Sequence, residues 1–245
     1  VPTSLPSDGI DKGGADAALF RPVRAGNAFE ETVERVLQAI RLGVVRAGER
    51  LPSERELAVR LGVSRMTLRE AIRSLQEAGY VESRRGRYGG TFVSEPARSA
   101  RPVGAAPSAE ELDDVLCLRT VLETGAAEAA ANRTLAPQAR RHLRACLDEC
   151  AGSPGDAYRR TDSRLHLAIA EATAAPSLIA AVADVRTRLN AMLDAIPLLP
   201  PNIEHSNAQH TMIVNAILDG DPTVARRAMA EHVDGTAALL RGFLR

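Results

Sequence analysis

Asp162 and His166 stand four residues apart, and His210 and His232 lie at nearly equal distances on either side of Gly220-Asp221. Two residues four apart share one face of a helix. In a helical hairpin, residues equally far from the turn come to the same height. His210 lies about ten residues before that turn and His232 about eleven after it, so they would face each other about 16 Å from it at 1.5 Å per residue. One carboxylate and three imidazoles meeting inside a bundle suit Zn²⁺, with Ni²⁺ or Mn²⁺ as alternatives, and leave one or two coordination positions open. By spacing alone the plainer reading, four ordinary polar side chains on helix surfaces, is favoured. His205 sits roughly 140° around the helix from His210 and cannot share its face. His142, Cys146 and Cys150 recur every four residues and form a rival thiolate or redox set. Such cysteines are more often buried small hydrophobes, and no second cysteine pair completes a tetrahedral site.

A different chemistry is written between Leu51 and Val93. Pro52-Ser53 starts a helix in which Ser53 and Glu56 can form a capping box, and Leu57, Ala58 and Leu61 give it a buried stripe. Gly62-Val63-Ser64 is a turn of the length found in helix-turn-helix units. Ser64 is a good N-cap for the next helix, whose apolar face is Leu68, Ala71, Ile72 and Leu75. That leaves Arg65, Met66, Thr67, Arg69 and Arg73 outside. A helix in the major groove reads base edges with its first turns, and arginine grips guanine O6 and N7 together. Val81–Arg84 and Thr91–Val93 predict two short strands around a loop with Arg85, Gly86 and Arg87. Between residues 60 and 90, seven arginines face three glutamates. This excess of positive charge on a small surface is what a DNA binder needs, and the loop arginines suit phosphates or minor-groove edges.

These side chains need elements to hold them. Residues 1 to about 26 are rich in Gly, Pro, Ser, Asp and Ala without periodicity and predict a flexible tail. Asn27 and Glu30 read as a capping box opening a helix that ends near Gly43, with Val33, Val36, Leu37 and Ile40 inward. Residues 27–95 form a winged helix-turn-helix domain, 96–107 a Pro/Ala/Gly linker, and 108–245 a helical domain. In the last, capping and proline signals predict six helices: 108–132, 137–150, 153–173, 176 to before Pro197, 201–219 and 221 onward. Six helices on short turns make an antiparallel bundle. The fold class is therefore mainly α, with one small β-hairpin as the wing.

Composition sets outer bounds. Hydrophobic residues make up 45% and aromatics only 3%, which fits helices packed from Ala, Leu and Val. Net charge is zero, so affinity for nucleic acid must come from a local patch. The only lysine is Lys12, and arginine is used so uniformly that codon bias explains it better than phosphate recognition. No apolar run reaches the ~20 residues of a membrane span, no signal-peptide pattern opens the chain, and three cysteines give no disulfide framework. A cytoplasmic protein is expected.

The strings LPSERELA (51–58), LGVSRMTLREA (61–71) and RRGRYGGTFV (84–93) closely resemble the winged helix-turn-helix of GntR-family transcription regulators. That resemblance implies DNA contacts by Arg55, Ser64, Arg65, Thr67, Arg69 and Gly86, with Arg85 added as a phosphate contact from its place in the wing. Met66 departs from the polar residue often found there, so contact at that position should be apolar or absent. From Ser108 onward the chain is similar to the FCD domain of the FadR subfamily. The resemblance rests on Asp162-Ser163-Arg164-Leu165-His166, the run starting at His210, Gly220-Asp221-Pro222 and Met229-Ala230-Glu231-His232. It implies a metal on Asp162, His166, His210 and His232. Arg119, with Glu123 one turn on, matches the family's R-x-x-x-E. An arginine facing an open metal position would grip a carboxylate effector, although a surface Arg–Glu pair reads equally well there. Arg186 and Arg188 are weaker candidates.

These readings converge on a homodimeric, non-enzymatic regulator that binds operator DNA and is controlled by a small organic acid at a divalent metal. A metal-dependent enzyme with an accessory DNA-binding module is one rival. A constitutive DNA binder with a structural metal is another.

Overall fold

In the computed structural model, the described residues are 20, 22–41, 44–86, 89–94 and 107–245. Nine helices and one hairpin follow in chain order among them. The first part holds α1 (Ala28–Arg41), α2 (Glu54–Leu61), α3 (Arg65–Glu77), β1 (Val81–Arg84) and β2 (Gly90–Val93). The second holds α4 (Ala109–Ala131), α5 (Pro137–Ala151), α6 (Gly155–Ala172), α7 (Pro176–Leu193), α8 (Pro200–Asp219) and α9 (Pro222–Leu244). The fold is a winged helix followed by a helical C-terminal domain. Six bundle helices appear where their caps and prolines put them.

The winged part closes by local chemistry. Ser53 Oγ accepts the Glu56 amide at 3.3 Å, but the Glu56 carboxylate turns to Arg60 at 2.6 Å, so only half of the expected capping box forms. Gly62 takes a left-handed φ of 66°, which ends α2 and lets Ser64 cap α3 by accepting from the Thr67 amide at 3.0 Å. A side chain at Gly62 would strain that turn. Leu57, Leu61, Leu68, Ile72 and Leu75 then pack against Val33, Val36 and Leu37 of α1. The wing is antiparallel, with Val81 opposite Val93 and Arg84 opposite Gly90.

In the bundle α4 packs against α9, α7, α6 and α8, which places its mid-section next to most of the other helices. The α8–α9 turn is built as the sequence predicts. Gly220 is left-handed at φ 74°, Pro222 stands at the first helical position, and Asp221 Oδ1 accepts the Val224 amide at 3.0 Å. Such a tight turn forces α8 and α9 antiparallel, so residues at matching distances from it meet.

Two expectations for the N-terminal region fail, because the segment before α1 is held against α2 and α1 itself is docked on the bundle. Phe20 and residues 22–26, assigned to the tail, are held: Phe20 is buried, the Val23 amide donates to Leu61 O at 2.9 Å, and Arg24 pairs with Glu31 and with Asp234 of α9. Residues 1–19 and 21 lie outside the described residues, as does the linker from 95 to 106. The Asn27–Glu30 capping box also gives way. Both side chains reach across to the bundle, where Asn27 Nδ2 donates to Glu231 O at 2.8 Å. Glu30 Oε1 lies 2.9 Å from both Asn202 Nδ2 and His205 Nδ1. Close approach of α1 to α9 needs missing side chains. A Cβ on Gly242 would lie 2.9 Å from Glu34 Cα, and one on Gly235 would lie 2.8 Å from Asn27 Oδ1. Tyr80 and Phe243 close the seam edge to face, 5.7 Å apart.

The Glu30 hydrogen bond raises the His205 pKa above its ordinary 6.5, against the lowering effect of burial. A raised folded-state value means that this contact stabilises most below about pH 6.5 and loses its contribution as pH rises through the folded pKa. Thermal unfolding of His205→Gln across about pH 5 to 8 should therefore show a smaller rise in stability toward low pH than the wild type. Parallel curves for the two proteins would remove this role from His205.

Candidate metal centre and nucleic-acid interface

Five helices bring one set of polar side chains to a common level in the bundle. The apolar stripe of α4 (Leu112, Val115, Leu116, then Ala126 and Ala127) continues through Arg119 and Glu123, so both are buried. The surface Arg–Glu pair that the sequence also allowed is thereby excluded. Helix α6 turns Asp162 and His166 inward on one face, α7 adds Arg186, α8 adds Gln209 and His210, and α9 adds His232. All of these are buried. Leu165, Ile169, Ile213 and Val233 pack nearby and keep the level apolar around the polar cluster.

The cluster has the spacing of a coordination shell. One donor atom from each of Asp162, His166, His210 and His232 lies within 4.8 Å of all the others. His210 Nε2 is 3.3 Å from His232 Nε2 and 3.4 Å from Asp162 Oδ1, and His166 Nε2 is 3.8 Å from the same oxygen. Donors about 2.1 Å from a metal ion stand roughly 3.0–3.4 Å from their nearest neighbours, so small rotations would close this set on one ion. The donor chemistry fits too. Burial, reinforced by nearby His166 and the arginines, lowers His210 to about 3, and burial with the neighbouring imidazoles holds His232 well below its ordinary value. Both rings are neutral and keep a lone pair for coordination. His166 Nε2 is buried without a hydrogen bond, and a buried nitrogen is seldom left so unless something else binds it.

Charge is balanced around the cluster. Arg119 Nε donates to Glu123 Oε2 at 3.0 Å, Arg186 donates to Asp162, and Arg186 Nη1 lies 3.6 Å from Glu123 Oε1. Glu123 Oε2 is also 3.0 Å from His166 Nδ1. Burial alone would raise both carboxyl groups. Arg119, His166 and Arg186 outweigh it at Glu123, and Arg186 and the imidazoles at Asp162, so both stay well below the usual carboxylate range. A cavity of about 50 Å³ opens on this level, touched by Arg119, Asp162, Arg186 and His232, with Tyr158, Ser206 and Thr236 beside them and Leu193, Ile196 and Leu239 as an apolar wall. Arg119 Nη1 is buried and has no partner, so a donor is free on that side.

The remaining candidates separate. His205 points to Glu30, away from the cluster. His142 turns out to Glu171 at 3.1 Å with Cys146 Sγ 3.8 Å behind it, whereas Cys150 faces inward, 3.9 Å from His210 Nδ1. Those three do not share one centre, because α5 presents Cys150 to α8 and His142 to α6. Arg188 is exposed and pairs with Asp114. Arg186 was undervalued in the sequence, where its signal was a charge on the apolar stripe of Val182, Val185 and Leu189. Tyr158 and Gln209 carried no signal, and the one at Asn27 pointed to a local cap instead.

On the winged part, Arg55, Arg65, Arg69 and Arg85 are exposed. Arg69 Nε is 3.4 Å from Glu54, and Arg73 and Arg84 pair with Glu77 and Glu82. Among the described residues Arg55, Arg65 and Arg85 have no acidic partner. Ser64 and Thr67 are tied to each other through the cap, 2.9 Å between hydroxyls. Met66 stands out at 70% exposure, an apolar tip at the start of α3. Gly86, at φ 105° with open space around its Cα, sits in the wing loop. Arg87 and Tyr88 lie outside the described residues.

A two-helix unit with a basic second helix and wing, joined to a helical domain with a buried Asp/His cluster, defines a DNA-binding protein with a second, helical domain. Residues 29–93 match the bacterial regulatory proteins of the gntR family, and residues 114–235 match the FCD domain. The chain belongs to the GntR family of transcriptional regulators and carries an FCD domain. It is 30% identical over 226 residues to the "Putative L-lactate dehydrogenase operon regulatory protein" of Escherichia coli K12, spanning 87% of this chain and 86% of that one. It is also 30% identical over 222 residues to the E. coli K12 "Glc operon transcriptional activator", spanning 83% and 84%. The solved structure of E. coli McbR/YncC aligns with a TM-score of 0.50 at 21% identity, over 86% of this chain and 96% of that one, which supports the fold. GntR regulators bind operator DNA, and among the described residues no helix is long and apolar enough to cross a membrane.

Two predictions follow from these geometries. His210→Ala and His232→Ala should each abolish bound zinc in the purified chain, whereas His205→Ala should keep it. Metal analysis of the three variants decides, and a filled site in His210→Ala would mean that the cluster is not the metal centre. Arg65→Ala should cost about 1–3 kcal/mol on an operator and relax preference at one base pair. Arg85→Ala should instead weaken operator and random DNA alike and reduce the salt dependence. Equal losses on both DNAs for Arg65→Ala would show that it reads no base.

Proposed function

We propose that this protein is a ligand-responsive regulator whose operator affinity is set by a small carboxylate bound at a divalent transition metal in the helical domain. Asp162, His166, His210 and His232 would hold the metal, with Zn²⁺ favoured by a set of three imidazoles and one carboxylate and Ni²⁺ or Mn²⁺ as alternatives. The metal supplies a Lewis-acidic contact for one ligand oxygen. Arg55, Ser64, Arg65, Thr67, Arg69, Arg85 and Gly86 would face DNA. Two copies would read a two-fold operator, as helix-turn-helix proteins do, in the cytoplasm where the DNA is.

The observation that carries this reading is that the cavity is bounded by two donor residues, Asp162 and His232, and by two buried arginines. Without a metal, Arg119 and Arg186 are matched by Asp162 and Glu123. A divalent ion adds charge in a buried place, and that charge needs an anion. The unpartnered Arg119 Nη1 is the donor such an anion would take. The name of one relative points to an L-lactate dehydrogenase operon, in keeping with a small organic acid here. Relatives named as transcriptional regulators also favour a binding protein over an enzyme. Control of DNA affinity then requires that the acid bind the DNA-competent and incompetent states unequally.

A thermal-shift screen of small organic acids on the zinc-loaded protein should yield a responder that also changes operator binding. Arg119→Lys keeps the charge but loses the planar fork. It should raise the midpoint for that acid about tenfold or more while leaving zinc content unchanged. An unchanged midpoint would show that other groups hold the anion.

A further inference from the structure

Between the metal cluster and the winged domain runs a chain of three buried side chains whose polarity can be worked out from one end. Glu231 O, a backbone carbonyl, can only accept. Asn27 therefore turns its amide nitrogen toward it, 2.8 Å away. That leaves Asn27 Oδ1 facing Gln209, so Gln209 Nε2 must donate, at 3.1 Å. Gln209 Oε1 then faces His232 Nδ1 at 3.2 Å, and the ring must carry its proton there. His232 Nε2 is left as the lone pair, 3.3 Å from His210 Nε2 and 3.5 Å from Arg119 Nη2. Each link fixes the next, so a tautomer suited to metal binding is selected from the first turn of the winged domain. Asn27, Gln209 and His232 are all buried, and water does not compete for the links. Gly235, one turn beyond His232 on α9, makes the room: its Cβ would fall 2.8 Å from Asn27 Oδ1.

We propose that Asn27 and Gln209 are positioning residues that couple the metal ligand His232 to the start of α1, so that metal occupancy is felt directly at the junction between the two domains. A metal on Nε2 holds the His232 ring in place, the ring holds the Gln209 amide, and the amide holds Asn27 against α9. Loss of the metal removes one of the ring's two anchors, leaving only the Gln209 hydrogen bond to hold it, and the α1 end of the chain loosens. The inference rests on the metal reading above.

Hydrogen exchange along α1, measured on the full chain with and without Zn²⁺, tests it. Zinc should slow exchange in the first turns of α1 in the wild type. Asn27→Ala should still bind one zinc but lose most of that slowing. Gln209→Glu keeps an acceptor for His232 and should bind zinc at least as well, yet it has no N–H for Asn27 and should also lose the slowing. Gln209→Leu removes both contacts and should weaken zinc about tenfold or more, the usual cost of an outer-shell partner. Zinc-dependent slowing of wild-type size in both Asn27→Ala and Gln209→Glu would overturn the relay, as would zinc binding to the wild type with no effect on α1. A wild-type chain that takes up no zinc would remove the metal reading first, and the relay with it.

Discussion

Two arginines, two carboxylates and three imidazoles are buried together at the centre of the bundle, and the rest of the structure is arranged around making that tolerable. A lone buried charge is expensive. Here Glu123 lies between Arg119 and Arg186, and Asp162 against Arg186, so each charge has an opposite neighbour. His210 and His232 stay neutral because burial opposes their protonation. This arrangement works only if α4, α6, α7, α8 and α9 reach the same level in register. The tight Gly220-Asp221-Pro222 turn fixes two of them, and the apolar stripes of the others set the rest. A bundle of this kind needs no polar centre for stability, since well-packed apolar residues serve as well. Even in this balanced set of buried charges, Arg119 Nη1 and Arg186 Nε make no hydrogen bond, so the cluster keeps unused donors at its centre.

Helix α9 serves both halves of the molecule. Its first part carries His232 into the cluster, and its last part, through Gly235, Gly242 and Phe243, packs against α1 and Tyr80. The apolar core of the winged part is therefore continuous with Leu239, Leu240 and Phe243 and with Val185 and Leu189 of α7. Any movement of α9 or of the start of α8 must be answered at α1, because Asn27 and Glu30 are hydrogen-bonded to those helices. The recognition helix α3 packs on α1 in turn. Continuous packing thus joins the buried polar level of the bundle to α3 through α9 and α1, and such packed chains of side chains carry coupling between distant parts of a protein.

Much of this was legible in the residues. Serine and proline caps, Gly62 and Gly220 gave the helix boundaries, because caps and left-handed turns are decided by local chemistry. The period of the apolar residues gave the core faces. Spacing about the α8–α9 turn put His210 opposite His232, and the structure has the two rings 4.5 Å apart. What failed were readings of polar residues whose partners are distant in sequence. Asn27 and Glu30 looked like a local cap and are instead bonded to Glu231, Asn202 and His205. Arg119 and Glu123 looked equally like a surface pair and are buried.

By itself, then, the sequence determined the winged helix-turn-helix, the helical bundle and which side chains could share a helix face, since these depend on contacts within a turn or two. Only the tertiary structure decided that the faces converge on one level, that Arg186 and Gln209 join it, and that α1 is fastened to the bundle. Those outcomes depend on pairings between different helices, separated by 23 residues of chain between Gln209 and His232 and by 182 between Asn27 and Gln209. A polar side chain carries no mark of its partner. It hydrogen-bonds whichever complementary group the packing of its neighbours brings within reach.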